Sequence, residues 1–258
     1  MHPQTILLYD GSFDGFLSTV FLIYEQKIKH PIIRNKSFPN NQLFTVTHDV
    51  ITEEHKAKRV WVGFTAKTTS NEQQDFFKAF LSEIKGVENT LLCYLQNIFL
   101  RSPSAKNIDF SNKNILKISQ VAKMVSREKH RMEAFVRFQL TKDNIYVAII
   151  EPDFNVLPLI MNHFKDRYAD QRWLIYDIKR AYGMYYDLTT IDTVQLDFFS
   201  KVNSKISSEN LAPNEQQFQE LWHTYFKNVN IKSRKNTKLH LQHIPRRYWK
   251  YLTEKNKI

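Results

Sequence analysis

Cysteine, glycine and long apolar runs are all scarce in this sequence, and each shortage closes off a class of protein. The single cysteine, Cys93, cannot close an internal disulfide or hold an iron–sulfur cluster, which takes several thiolates. A reducing cytoplasm is the expected compartment. The five glycines are Gly11, Gly15, Gly63, Gly86 and Gly183, and they form neither GxGxxG nor a loop ending in GKS or GKT. Dinucleotide-binding and P-loop folds are therefore not expected, nor is any cofactor. No apolar run exceeds about five residues, far short of the roughly 20 that span a bilayer, so no membrane partner is expected. The opening MHPQTILLYDG lacks a basic stretch followed by a long apolar one, and no signal peptide is read there. Carboxylates are short as well. Against 37 Lys and Arg stand 26 Asp and Glu, a formal charge of +11 that favours a polyanionic partner.

What remains is ample for a folded chain: 258 residues, 42% of them hydrophobic and 14% aromatic. The pattern predicts an α+β protein. Its N-terminal half is helical with a short sheet. An antiparallel sheet with a helix on one face follows, then a basic C-terminal helical segment. Residues 5–9 read as a buried strand that runs into an Asp-Gly-Ser turn and a helix; Asp10 and Asp14 there are turn and cap residues first, and pocket-wall candidates second. Residues 30–41 read as a loop and 43–50 as a strand. Thr52-Glu53-Glu54 reads as a cap, with helices after it up to Leu100, where Cys93 reads as a buried small hydrophobe. The linker-like 101–113 divides the chain into expected regions 1–113 and 114–258, one intertwined domain being the alternative.

A helix over about 115–134 shows Ile118, Val121, Ala122, Val125 and Met132 on one side. Lys123, Arg127, His130 and Arg131 lie on the other, a stripe that Glu128 and Glu133 do little to neutralise. Strands at 135–140 and 145–151 form an expected hairpin. After it, apolar residues at Val156, Leu157, Ile160, Met161 and Phe164 predict a helix capped by Asp153 or Asn155. Residues 173–177 and 182–187 alternate as strands around a turn holding Lys179 and Arg180. Gly183 in the second signals a close approach to its backbone. An edge strand is expected at 193–198, and a helix at 215–226 with Phe218, Leu221, Trp222 and Tyr225 inward.

From Leu221 through Thr253 there is no Asp or Glu, while Lys227, Lys232, Arg234, Lys235, Lys238, Arg246, Arg247 and Lys250 all fall there. A polyanion laid along these charges relieves their repulsion and releases its own counterions. Interleaved Trp222, Tyr225, Phe226, Tyr248, Trp249 and Tyr251 offer faces on which bases can stack. A last helix starting at Pro245 would place free amides beside Arg246 and Arg247, a phosphate site. The competing account buries Tyr248, Trp249 and Leu252 and pairs the arginines with carboxylates such as Asp166 or Asp170.

IEPDFNVLPLI, HFKDRYADQRWLIYD and YGMYYD, with YDGSFDGF, SREKHRMEAFVRF and QHIPRRYWKYLTE, carry a resemblance spanning nearly the whole chain. It resembles a bacterial family of DNA-repair or DNA-metabolism proteins built on a domain of unknown function. Members are typically encoded with a radical S-adenosylmethionine (SAM) protein, and some are fused to a uracil-DNA glycosylase-like domain. The resemblance implies nucleic-acid metabolism, DNA as the partner and a radical SAM protein beside it. It further implies a shared site of Asp153, Asn155, His163, Arg167, Asp170, Gln171, Arg172 and Asp177, without assigning roles.

Two function classes follow. In the first, the chain binds nucleic acid through the α-helical stripe, Arg167, Gln171, Arg172, Lys179, Arg180, Arg234, Lys238, Arg246, Arg247 and Lys250. In the second it is a glycosylase or phosphodiesterase, with Asp153, Asn155, His163 and Asp170 lining one pocket, a carboxylate as base and His163 as proton carrier. A scaffold that docks an acidic protein is a third possibility. His163, Asp166 and Asp170 match no metal-ligand spacing, and no metal is expected.

Overall fold

Four consecutive residues of the first strand, Ile6 to Tyr9, are apolar and the strand is short, which suits the centre of a small sheet covered by helices. In the computed structural model, which describes residues 5–37, 46–100, 112–196, 210–229 and 241–255, this strand is β1 (Thr5–Tyr9). It pairs in parallel with β2 (Pro31–Asn35) on one side and β3 (Val46–Asp49) on the other. The loop expected over 30–41 thus contains a strand. Pro31 opens it at the sheet edge, where a missing N–H costs no ladder bond. Between β1 and β2 lies α1 (Phe13–Glu25), whose N-cap Ser12 accepts from the Gly15 amide. Then come α2 (Glu54–Thr65), α3 (Ser70–Leu81) and α4 (Val87–Leu100). Phe13, Phe16, Trp61, Phe64, Phe76 and Phe80 mesh edge to face and tilted between them.

The capping read at Thr52 is different in the fold. Glu53 is the N-cap of α2 and makes no side-chain cap bond. Thr52 instead donates its hydroxyl to Asp10 Oδ2 at 2.7 Å. A reciprocal capping box forms at Thr69 and Glu72 of α3. Cys93 is half-buried rather than sealed.

The chain divides into two compact units, Met1–Ser126 and Arg127–Ile258. The long helix α5 (Lys113–Phe135) runs across the division, with Ile118, Val121, Ala122, Val125 and Met132 buried. The second unit holds a five-stranded sheet in the order β4-β5-β6-β7-β8. The strands are β4 (Gln139–Leu140), β5 (Tyr146–Ile150), β6 (Trp173–Asp177), β7 (Tyr182–Tyr186) and β8 (Ile191–Val194). β5 and β6 are parallel because α6 (Leu157–Arg167) carries the chain back between them; the other pairs are antiparallel. β6 is buried along its whole length, and the Trp173 ring lies against Phe138, Phe164 and Tyr186.

The edge strand β8 begins earlier than the expected 193–198, because Asp187 Oδ1 accepts from the Thr189 and Thr190 amides and turns the chain at once. Gly183 has the neighbours its position implies: an added Cβ would lie 2.8 Å from the Ile175 carbonyl and 2.9 Å from the Tyr176 ring. Neither Asp153 nor Asn155 caps α6. Its N-cap is Val156, with Pro158 in the first turn.

On α7 (Glu215–Val229) Phe218 and Leu221 face solvent, against the inward orientation their spacing suggests, and Trp222 is partly exposed. The stretch after Pro245 is a 3-10 turn, Arg246–Tyr251, in place of an α-helix, and a second short one, Thr253–Lys255, follows it. Tyr248 within the first and Leu252 after it are buried. No helix among the described residues is long and apolar enough to cross a membrane.

Candidate functional site

The parallel pairing of β5 and β6 puts the ends of both strands side by side, with Ile150 opposite Asp177. The segments leaving them, 151–153 and 178–180, therefore meet at one edge of the sheet. Asp177 is fully buried there, and its carboxylate accepts from the Lys179 and Arg180 amides and from Arg180 Nη1 at 2.7 Å. Burial pushes its pKa up, outweighing the Arg180 guanidinium that pulls it down. Arg180 also donates to the Pro152 and Asp153 carbonyls at 3.2 and 3.1 Å, and Lys179 Nζ to the Asp153 carbonyl at 3.0 Å. Arg180 thus holds the loop; its side chain is only 9% exposed.

The 3-10 turn lies against this loop through paired charges. Arg247 Nη2 is 2.6 Å from Asp153 Oδ2 and 3.7 Å from Glu128 Oε2. Lys250 and Tyr251 both donate to Glu151 Oε2, the hydroxyl at 2.6 Å. These two bonds hold the Glu151 carboxyl below the usual carboxylate range. Beneath them is Glu128, 1% exposed on α5. It accepts from the Tyr248 hydroxyl, from the Asp153 amide at 2.9 Å and from Arg131 Nη1 at 3.4 Å. Burial pushes the Tyr248 hydroxyl well above its ordinary pKa, and the Glu128 carboxylate adds to this. A third buried carboxylate, Glu254, is gripped by Arg137 through two nitrogens, at 2.8 and 3.2 Å, and by the Trp222 indole at 3.1 Å.

Above Glu128 opens a pocket of about 400 Å³, lined by Glu151, Pro152, Asp153, Lys179, Arg246, Arg247 and Lys250. Five of the residues picked out by sequence meet here: Asp153, Lys179, Arg246, Arg247 and Lys250, with Arg180 behind them. Arg246 and Lys179 have no carboxylate within ion-pair distance among the described residues. Arg246 lies over the Trp249 ring, 5.9 Å from its centroid.

The other candidates stand elsewhere. Asn155 accepts from the Tyr182 hydroxyl. His163 is half-buried on α6, its ring edge-on to Phe164. Arg167 ends that helix, which is about 16 Å long at 1.5 Å per residue, and Asp170, Gln171 and Arg172 lie between it and the start of β6. Arg167 lies over Tyr168, and Arg172 donates to the Asp143 carbonyl at 3.4 Å. Asp153 and Asp170 consequently flank opposite ends of the β5–α6–β6 unit. Lys123, Arg127 and His130 are exposed on α5, while Arg131 is drawn to Glu128. Arg234 and Lys238 lie outside the described residues. No group of three or more His, Cys, Asp or Glu among the described residues is placed to hold a metal ion; His163, Asp166 and Asp170 form none.

Glu128 is the residue that spacing arguments undervalue: far from leaving the basic stripe alone, it takes Arg131 and Arg247 together. Its position offered a signal, three residues after Val125 and four before Met132 on the buried stripe. Of the two arginines of the turn, Arg247 does pair with carboxylates, but its partners are Asp153 and Glu128 rather than Asp166 or Asp170. The stacking faces are also taken. Arg247 covers Tyr248, Lys250 covers Tyr251, and Lys255 joins Arg246 at Trp249.

Compared with known families, residues 85–254 match DUF4130, described as a domain of unknown function. A search of curated proteins found no match.

Proposed function

The chain belongs to the DUF4130 family, and from the chemistry of its pocket we propose that it binds nucleic acid through phosphates, as a protein of DNA repair or DNA metabolism. One observation carries this reading. Four cations from two separate segments surround a single pocket, and two of them, Lys179 and Arg246, have no carboxylate partner among the described residues. Guanidinium and ammonium groups with unspent donors are what phosphate oxygens bind most strongly. The formal charge of +11 adds long-range attraction for such a ligand. The sequence resemblance supports the DNA-metabolism setting and a radical SAM enzyme as functional partner, to be sought by co-purification of the two proteins.

The glycosylase or phosphodiesterase reading needs Asp153, Asn155, His163 and Asp170 in one pocket. Of these only Asp153 lines it. Binding is therefore the reading the geometry favours.

The test is fluorescence anisotropy with labelled single-stranded and duplex DNA. Reversing both charges, Lys179→Glu with Arg246→Glu, is expected to weaken binding by about a hundredfold, near tenfold for each reversed contact. Both side chains are exposed, so circular dichroism should be unchanged. Unaltered affinity in this variant would remove the pocket from the interface.

A further inference from the structure

We propose that the pocket takes a terminal phosphomonoester, the phosphorylated end of a strand, rather than an internal phosphodiester. This rests on the nucleic-acid reading above and sharpens it. The lining carries Lys179, Arg246, Arg247 and Lys250 against Glu151 and Asp153, a surplus of two positive charges. A phosphomonoester carries close to two negative charges at neutral pH, whereas a diester carries one.

Donor supply points the same way. Arg247 engages its two carboxylates through a single terminal nitrogen, Nη2. A guanidinium has five N–H donors and an ammonium three, so Arg246, Arg247, Lys179 and Lys250 all retain donors. A terminal phosphate offers three oxygens that no second ester bond occupies.

The carboxylates on the wall also favour an end over a middle. A strand running through the pocket carries phosphates on both sides of the bound one, in a lining whose Glu151 and Asp153 repel added negative charge. An end has one flank only. Bases add little to the choice, because cations already lie over the Tyr248, Trp249 and Tyr251 rings.

The full chain is titrated with one short single-stranded oligonucleotide, labelled internally, in three forms: 5′-phosphate, 3′-phosphate and hydroxyl at both ends. At least one phosphorylated form is expected to bind about tenfold tighter than the hydroxyl form, and inorganic phosphate should compete away the difference. Which form wins identifies the end. In the Lys179→Ala, Arg246→Ala double variant the preference should drop to about twofold or less. Equal binding of all three forms overturns the end-phosphate inference and leaves the nucleic-acid reading intact. Binding of none overturns both. A preference that survives in the double variant places the end somewhere other than this pocket, and so overturns the assignment.

Discussion

Glu128 shares a stripe of α5 with Val121, Val125 and Met132, so its carboxylate enters the interior wherever the helix packs. A buried carboxylate persists only if its oxygens are well supplied with donors. Glu128 has three, the Tyr248 hydroxyl, the Asp153 amide and Arg131, and Arg247 adds an ion pair at 3.7 Å. Replacing it with Leu keeps the volume but leaves the buried Tyr248 hydroxyl and the Asp153 amide without their acceptor. The expected loss is roughly 2–3 kcal/mol in urea denaturation, against about 1 kcal/mol for Tyr248→Phe, which removes one hydrogen-bond donor of the three. The double variant should cost less than the sum of the two, since both remove the same bond. Additive losses would mean that the bond contributes nothing. At this scale the sequence was half legible. Lys179, Arg246, Arg247 and Lys250 stood out as cations, but composition could not show which carboxylates they meet. Asp153 looked like a helix cap because Asp commonly caps, and nothing nearby in sequence shows that Arg247 claims its side chain.

The pocket exists because β5, α6 and β6 form a parallel crossover that brings two loops to one sheet edge. The helix and strands were readable from period and punctuation: β6 and the start of β7 stand where alternation put them. The parallel pairing was not readable, since hairpin patterning on both sides is equally compatible with an all-antiparallel sheet. The exposed face of α7 was misjudged for a related reason. Spacing at Phe218, Leu221 and Trp222 shows an apolar stripe, and a stripe does not say what covers it. Gly183 tests how tightly β6 and β7 are held in register at this edge. It faces Tyr176 in the ladder, and a Cβ there would meet a backbone carbonyl as well as two side chains. A flexible side chain can move away; the Ile175 carbonyl cannot without shifting the strand. Gly183→Ala is expected to destabilise by about 1–3 kcal/mol in thermal or urea unfolding. Because β6 leads directly into Asp177 and Lys179, it should also weaken DNA binding. Wild-type stability in this variant would show that the sheet yields there.

Over the whole molecule, a charge of +11 invites the idea that the protein holds nucleic acid by bulk attraction, yet the structure commits many cations internally. Arg137, Arg180, Arg247 and Lys250 each have a carboxylate partner. Salt dependence measures the contacts rather than the total charge, since single-stranded binding weakens with a slope of about −0.7 per phosphate neutralised. Two groups of cations can then be weighed separately. Lys179 and Arg246 line the pocket, while Arg234 and Lys238 belong to the carboxylate-free span that favours a polyanion by composition alone. Removing either pair, as Lys179→Gln with Arg246→Gln or Arg234→Gln with Lys238→Gln, should make the plot of log K against log salt shallower by about 1.4. The two variants should part on specificity. Loss of the pocket pair abolishes the preference for a phosphorylated end, whereas loss of Arg234 and Lys238 lowers all affinities alike, because distributed charge attracts every phosphate equally. An unchanged slope in the Arg234, Lys238 variant would confine binding to the pocket, and an unchanged slope in the Lys179, Arg246 variant would move it elsewhere.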